Sequence, residues 1–143
     1  MAELNKMKQL LRIAFILFPC LLFAGCSSSE TENKSVITQN AYEQITQDEA
    51  KSIMDGDKPY TLLDVRTKEE FDSEHIKGAI LIPDYEINTR AEDILTDKNA
   101  LILVYCRTGR RSKNAANNLA TLGYTNVKEF GGINDWKYGT VTE

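Results

Sequence analysis

The stretch Cys106-Arg107-Thr108-Gly109-Arg110-Arg111-Ser112 sets one thiol among three arginines, directly after the apolar run Leu101 to Tyr105. The chain holds only six arginines and carries a formal net charge of -4, so this positive charge is concentrated beside one cysteine. Such a loop suits a small anion or a thiolate kept ionised. The plainer reading is a basic surface turn with a buried cysteine, because free Cys is among the most buried residue types. Cysteine usage along the chain weighs against it.

The other two cysteines, Cys20 and Cys26, lie in an N-terminal segment that reads as a targeting signal. Lys6, Lys8 and Arg12 form a positive start, and the apolar run from Ile13 to Ala24 has the length of a signal-peptide core and is short for a membrane span. Phe23-Ala24-Gly25-Cys26 resembles the lipobox of bacterial lipoproteins, with Phe23 where Leu, Val or Ile is usual. The alternatives are a secretory signal cut near Ala24 and an uncleaved anchor. On the lipobox reading, residues 1 to 25 are a leader, Cys26 is lipidated, and Cys106 is the one thiol left in the mature chain. An unpaired cysteine in an exported protein points to reactivity more than to structure.

Removing residues 1 to 25 takes away three of 17 basic and one of 21 acidic residues, which leaves a net charge of -6. That balance argues against a nucleic-acid partner. Residues 26 to 41 are polar and aperiodic and read as a tether, and residues 42 to 140 make one domain with a single core.

Short apolar runs alternate with helix-like segments from Tyr42 onward, the pattern of an α/β domain with a mainly parallel sheet. Thr46 with Glu49 and Thr67 with Glu70 are two capping boxes, the first opening a helix over Gln47 to Met54 and the second one short turn anchored by Phe71. Strands are expected at Tyr60 to Val65, Ala79 to Ile82, Leu101 to Tyr105 and Val127 to Phe130, the third being the most apolar and so central. Further helices are expected from about Asn88 to Leu95 and from a Ser112 cap to Leu122, with Gly123 at the stop. Gly131-Gly132 reads as a turn, and Ile133 to Tyr138 as a closing helix with Trp136 in the core. The thiol loop thus falls between a strand end and a helix start, where open parallel sheets place ligands. Backbone N–H groups after Cys106 can form an anion nest there, helped by the helix dipole.

These residues resemble the single-domain rhodaneses, sulfurtransferases that carry sulfur as a cysteine persulfide. The resemblance runs over about residues 42 to 138 and rests on four pieces in order. They are Leu62 to Phe71, then His75-Ile76-Lys77-Gly78-Ala79 with Ile82-Pro83, then Cys106 to Ser112, then Gly131-Gly132-Ile133 with Trp136. It implies an open, largely parallel five-stranded sheet flanked by helices. It also implies that Cys106 is the sulfur-accepting nucleophile, that the amides of Arg107, Thr108, Gly109, Arg110 and Arg111 surround the persulfide, and that Arg107 and Arg110 meet the sulfonate end of thiosulfate. Arg111 would shape the loop as much as bind substrate. Sulfur would pass from thiosulfate to a thiophilic acceptor such as cyanide or a thiol, with no metal or organic cofactor.

Asp64, Arg66 and Glu70 match the family's Asp-x-Arg-x-x-x-Glu segment and read as supports for the strand end rather than catalysts. His75 is the single histidine a Cys-His hydrolase could use, and it sits in a turn where backbone bonding is the expected role; Glu74 stands before it where the family often has Gly. A phosphatase or arsenate reductase would need Cys-x5-Arg, but Ser112 occupies that arginine's position, and Tyr105 replaces the His that often precedes a phosphatase cysteine. A non-enzymatic sulfur carrier or interaction module stays open. The expected protein is a monomeric, extracytoplasmic rhodanese held to a bacterial membrane through lipid on Cys26.

Overall fold

A computed structural model describes residues 41–142. The leader, Cys26 and most of the tether fall outside the described residues. Among the described residues no helix is long and apolar enough to cross a membrane.

The elements are β1 (Glu43–Gln44), α1 (Gln47–Met54), β2 (Thr61–Asp64), α2 (Lys68–Ser73), β3 (Ile80–Leu81), α3 (Ile87–Ile94), β4 (Ile102–Cys106), α4 (Arg110–Thr121) and β5 (Val127–Gly132). Short 3-10 turns at Asp84–Glu86 and Ile133–Asp135 complete the order. All five strands pair in parallel in the order β1-β5-β4-β2-β3. β4 is therefore central, and all five of its residues are buried, as its apolar run predicts.

Strand alternation divides the core in two. Ile102, Val104 and Cys106 of β4 face one layer with Leu63, Ile87, Ala91, Ala115, Ala116 and Leu119, beneath α3 and α4. Leu103 and Tyr105 face the other with Ala50, Leu62, Ile76, Phe130 and Ile133, beneath α1. Both capping boxes form as the sequence predicts. Each threonine takes a backbone N–H that the first helical turn leaves unpaired, worth about 1 kcal/mol. Helix α4 closes with Tyr124 N–H donating to the Leu119 carbonyl at 3.1 Å and Gly123 N–H to Ala120 at 3.0 Å, the paired bonds of a Schellman end.

Three expectations are corrected, and one strand lies outside the sequence reading. The two-residue β1 carries no sequence pattern of its own, because it is held as an edge by β5 through Glu43 opposite Lys128 and Gln44 opposite Glu129. Ser112 does not cap α4: Gly109 occupies that position at φ 93, and Ser112 lies in the first turn. Gly131-Gly132 does not leave the sheet, since β5 continues through Gly132, which pairs with Cys106. The last helix is only the turn Ile133–Asp135, and Trp136 packs half-buried at the core's edge with its indole N–H donating to Gly139 O at 3.0 Å.

Candidate active site

Cys106 ends the central strand with its side chain 1 % exposed. The chain then curls so that Gly109 N–H donates to Cys106 Sγ at 3.1 Å. Gly109 tolerates the left-handed conformation this curl demands, where a side chain would be strained. Burial pushes the Cys106 thiol up, but the Ser112 hydroxyl and the backbone N–H groups of Ser112, Thr108 and Gly109 outweigh it and leave the thiol below its ordinary value. The loop therefore favours a thiolate in a place where burial alone would oppose one.

The second glycine of β5 explains how the loop lies so close to the sheet. A Cβ on Gly132 would stand 2.3 Å from the Arg107 carbonyl oxygen and 2.6 Å from Thr108 Cα, so loop and strand touch backbone to backbone. Asn134 N–H donates to the same Arg107 carbonyl at 3.2 Å. The pairing of β4 with β5 also shifts register between Val104 and Cys106, which brings Gly132 beside the cysteine.

Arg111 is bound before any ligand arrives. Its guanidinium donates to both carboxylate oxygens of Glu70, at 2.7 and 2.8 Å. The pair draws Glu70 down to about 2, with the Arg111 hydrogen bond as the main cause against a smaller opposing effect of burial. Glu70 also accepts the Thr67 N–H of its capping box at 3.1 Å, so one carboxylate joins the start of α2 to the thiol loop. Arg107 and Arg110 are exposed and form no ion pair among the described residues. With Thr108, Arg111 and Asn134 they line a depression of about 370 Å³ at the loop's mouth. A larger cavity of about 950 Å³, lined by Pro59, Tyr60, Asp97 and Asn126 among others, opens by the starts of β2 and β4, away from Cys106. Chemistry, not size, marks the smaller one.

Asp64 and Arg66 form a buried pair at the end of β2. Arg66 Nη2 donates to Asp64 Oδ2 at 2.7 Å and to the Glu74 carbonyl at 2.6 Å, which ties the strand end to the turn after α2. Beside them, burial and the Asp64 carboxylate push the Tyr105 phenol up, and its oxygen accepts Ile76 N–H at 3.1 Å. His75 is buried, stacked on Phe71 at 3.9 Å between ring centroids, with Nδ1 3.0 Å from the Phe71 carbonyl. Its backbone pairs with Val141. Its bonds are local to α2 and the C-terminal segment. Among the described residues no three His, Cys, Asp or Glu side chains converge to hold a metal.

Three residues of the site lie outside the sequence reading in the places they occupy. Ser112 turns its hydroxyl inward, Asn134 lines the mouth, and Glu129 is buried beneath the loop. Asn134 carries no signal in the sequence. Glu129 does: in β5 it alternates with the core residue Val127, so a carboxylate falls on the core-facing side of a strand.

The match to the Rhodanese-like domain family model covers residues 46–138. The thiosulfate sulfurtransferase PspE of Escherichia coli is 42% identical over 73 residues, which are 51% of this chain and 70% of PspE. The putative sulfur carrier protein YrkF of Bacillus subtilis is 34% identical over 107 residues, 74% of this chain and 54% of YrkF, so the chain spans about half of that relative. A solved rhodanese with anions from E. coli is 38% identical, with a TM-score of 0.56 over 59% of this chain and 100% of that one. The chain, with its cradled thiol at the end of a central parallel strand, belongs to the rhodanese-like domain family.

Proposed function

We propose that the protein is a rhodanese-type sulfurtransferase in which Cys106 accepts a sulfane sulfur from thiosulfate and passes it to a thiol or to cyanide. The observation that carries the reading is the Cys106 sulfur held by the Gly109 N–H at 3.1 Å inside a loop whose other amides also favour the thiolate. Family membership and the likeness to PspE support sulfur transfer as the general chemistry.

In the first step the Cys106 thiolate attacks the sulfane sulfur, a Cys–S–S bond forms, and the electron pair of the broken sulfur–sulfur bond leaves with sulfite. The outer sulfur carries the negative charge, and the amides of Thr108, Gly109 and Ser112 offer it the donors that favour the thiolate. In the second step an acceptor nucleophile bonds to that outer sulfur and the pair returns to Cys106. Arg107 and Arg110, unpaired at the mouth, suit the departing dianion, whereas Arg111 is engaged by Glu70. Phosphoryl chemistry is disfavoured because Ser112 stands where a Cys-x5-Arg loop would aim its arginine, and its hydroxyl turns inward to Glu129.

The likeness to YrkF favours a second reading, a carrier loaded by another protein. Turnover separates the two. An enzyme cycles thiosulfate and cyanide to sulfite and thiocyanate many times per protein, while a carrier takes one sulfur and stops. Lipid attachment through Cys26 and an extracytoplasmic site are proposed from the leader and lipobox residues alone.

A further inference from the structure

We propose that the acceptor in the second half of the reaction is a small thiol carrying a carboxylate, which Arg107, Arg110 and Asn134 draw into the mouth of the Cys106 loop. The inference deepens the sulfur-transfer reading and rests on it.

Cys106 is buried, so its acceptor has to be slender, and the depression of about 370 Å³ at the loop's mouth is near the lower end of ligand sites, about 300–1,000 Å³. Arg107, Thr108, Arg110, Arg111 and Asn134 line it, with no carboxylate and no apolar side chain among them. Of the three guanidiniums, that of Arg111 is taken by both oxygens of Glu70, at 2.7 and 2.8 Å. Arg107 and Arg110 are exposed, and neither is in an ion pair among the described residues. Asn134 stands beside them, since its N–H donates to the Arg107 carbonyl at 3.2 Å. Its side-chain amide is exposed and has no hydrogen-bond partner among the described residues. The mouth thus holds two uncommitted cations and one uncommitted amide.

The second step brings like charges together. The acceptor thiolate R–S⁻ bonds to the outer sulfur of Cys106–S–S⁻, the bond between that sulfur and Cys106 breaks, and its electron pair returns to Cys106. The product leaves as R–S–S⁻, so no proton, oxidant or metal is consumed. Two anions must approach one another on a chain whose net charge is already -4. Once sulfite has left, the cations that served it are free again, and they offset this repulsion for any thiolate. A carboxylate gains more, because the planar arginine fork matches its two oxygens, and the Asn134 amide can donate to a remaining lone pair. An uncharged thiol forgoes that contact, and an apolar one finds no surface to bury.

The test loads the full chain with thiosulfate to completion, removes the excess, and adds either 3-mercaptopropionate or its uncharged isostere 3-mercaptopropionamide. Loss of sulfur from the peptide carrying Cys106 is followed by mass. At equal thiolate concentration and corrected for thiolate basicity, the carboxylate should drain the persulfide about tenfold faster at low salt, one charge-assisted contact. That ratio should shrink to about two at about 0.5 M salt, where exposed charges are screened. It should fall about threefold in Arg107→Ala and in Arg110→Ala, and reach about one when both are replaced. Asn134→Asp, isosteric and at an exposed position, should also lower it about threefold by setting a negative charge in the mouth. A ratio near one in the parent would overturn the proposal, and so would a ratio that survives the loss of both arginines. If the arginine variants do not fold, a ratio that neither salt nor Asn134→Asp reduces is enough to reject it. A parent that takes no sulfur from thiosulfate contradicts the donor reading alone, because inorganic polysulfide can then load Cys106 for the same comparison. Loading by neither would end the sulfur-transfer reading, and this proposal with it.

Discussion

At the scale of single residues, the thiol loop combines groups of different duty. Cys106 is the proposed nucleophile, and its amide donors come from the backbone, so the side chain can be exchanged without dismantling the cradle. Cys106→Ser should abolish sulfur transfer while the far-ultraviolet circular dichroism and the melting temperature stay near the parent's; retained turnover would remove Cys106 from the mechanism. Arg107→Ala should raise the KM for thiosulfate by about tenfold, one charge-assisted contact, with kcat little changed. Glu70 works differently. Its carboxyl is drawn from 4.5 to about 2 by Arg111, so the stability it confers is present above about pH 4.5 and is lost as the pH falls toward 2. Glu70→Gln should therefore be less stable than the parent by about 1–2 kcal/mol at neutral pH, with the gap closing over that acid range. Denaturant melts at pH 7 and pH 2.5 would check both the sign and the window.

At the scale of elements, the site depends on how β4, the loop and β5 meet. The thiol, the arginines and the strand-loop-helix setting are legible in the sequence because their local patterns and the structure agree: an apolar run, a glycine, an amphipathic helix. Both capping boxes are legible for the same reason, being bonds between residues three apart. The role of Gly132 is not, because the contact that forbids its side chain comes from the loop, 25 residues earlier in the chain. Ser112 is misread as a helix cap on local grounds, since its partner Glu129 lies 17 residues further on. Gly132→Ala places a methyl group into the Arg107 carbonyl and should cost about 1–3 kcal/mol of stability and lower activity more than Arg107→Ala does. Unfolding curves and turnover measured side by side would show it, and an unchanged protein would mean that loop and strand are further apart than they stand here.

At the scale of the whole molecule, a five-stranded parallel sheet with helices on both faces supplies one rigid strand end on which the loop is mounted. The acidic body leaves the arginine-rich mouth as a local positive site, which suits a small anion better than an extended polyanion. The leader adds a separate expectation: Cys26→Ser should release the protein from membranes and leave sulfur transfer intact, as fractionation with an activity assay would reveal. The central claim is chemical, and one measurement reaches it most directly. Reduced protein is incubated with thiosulfate, and the mass of the peptide carrying Cys106 is determined before and after cyanide. The account predicts a gain of one sulfur atom on Cys106 that cyanide removes. A folded protein with Cys106 reduced that gains no sulfur would contradict it.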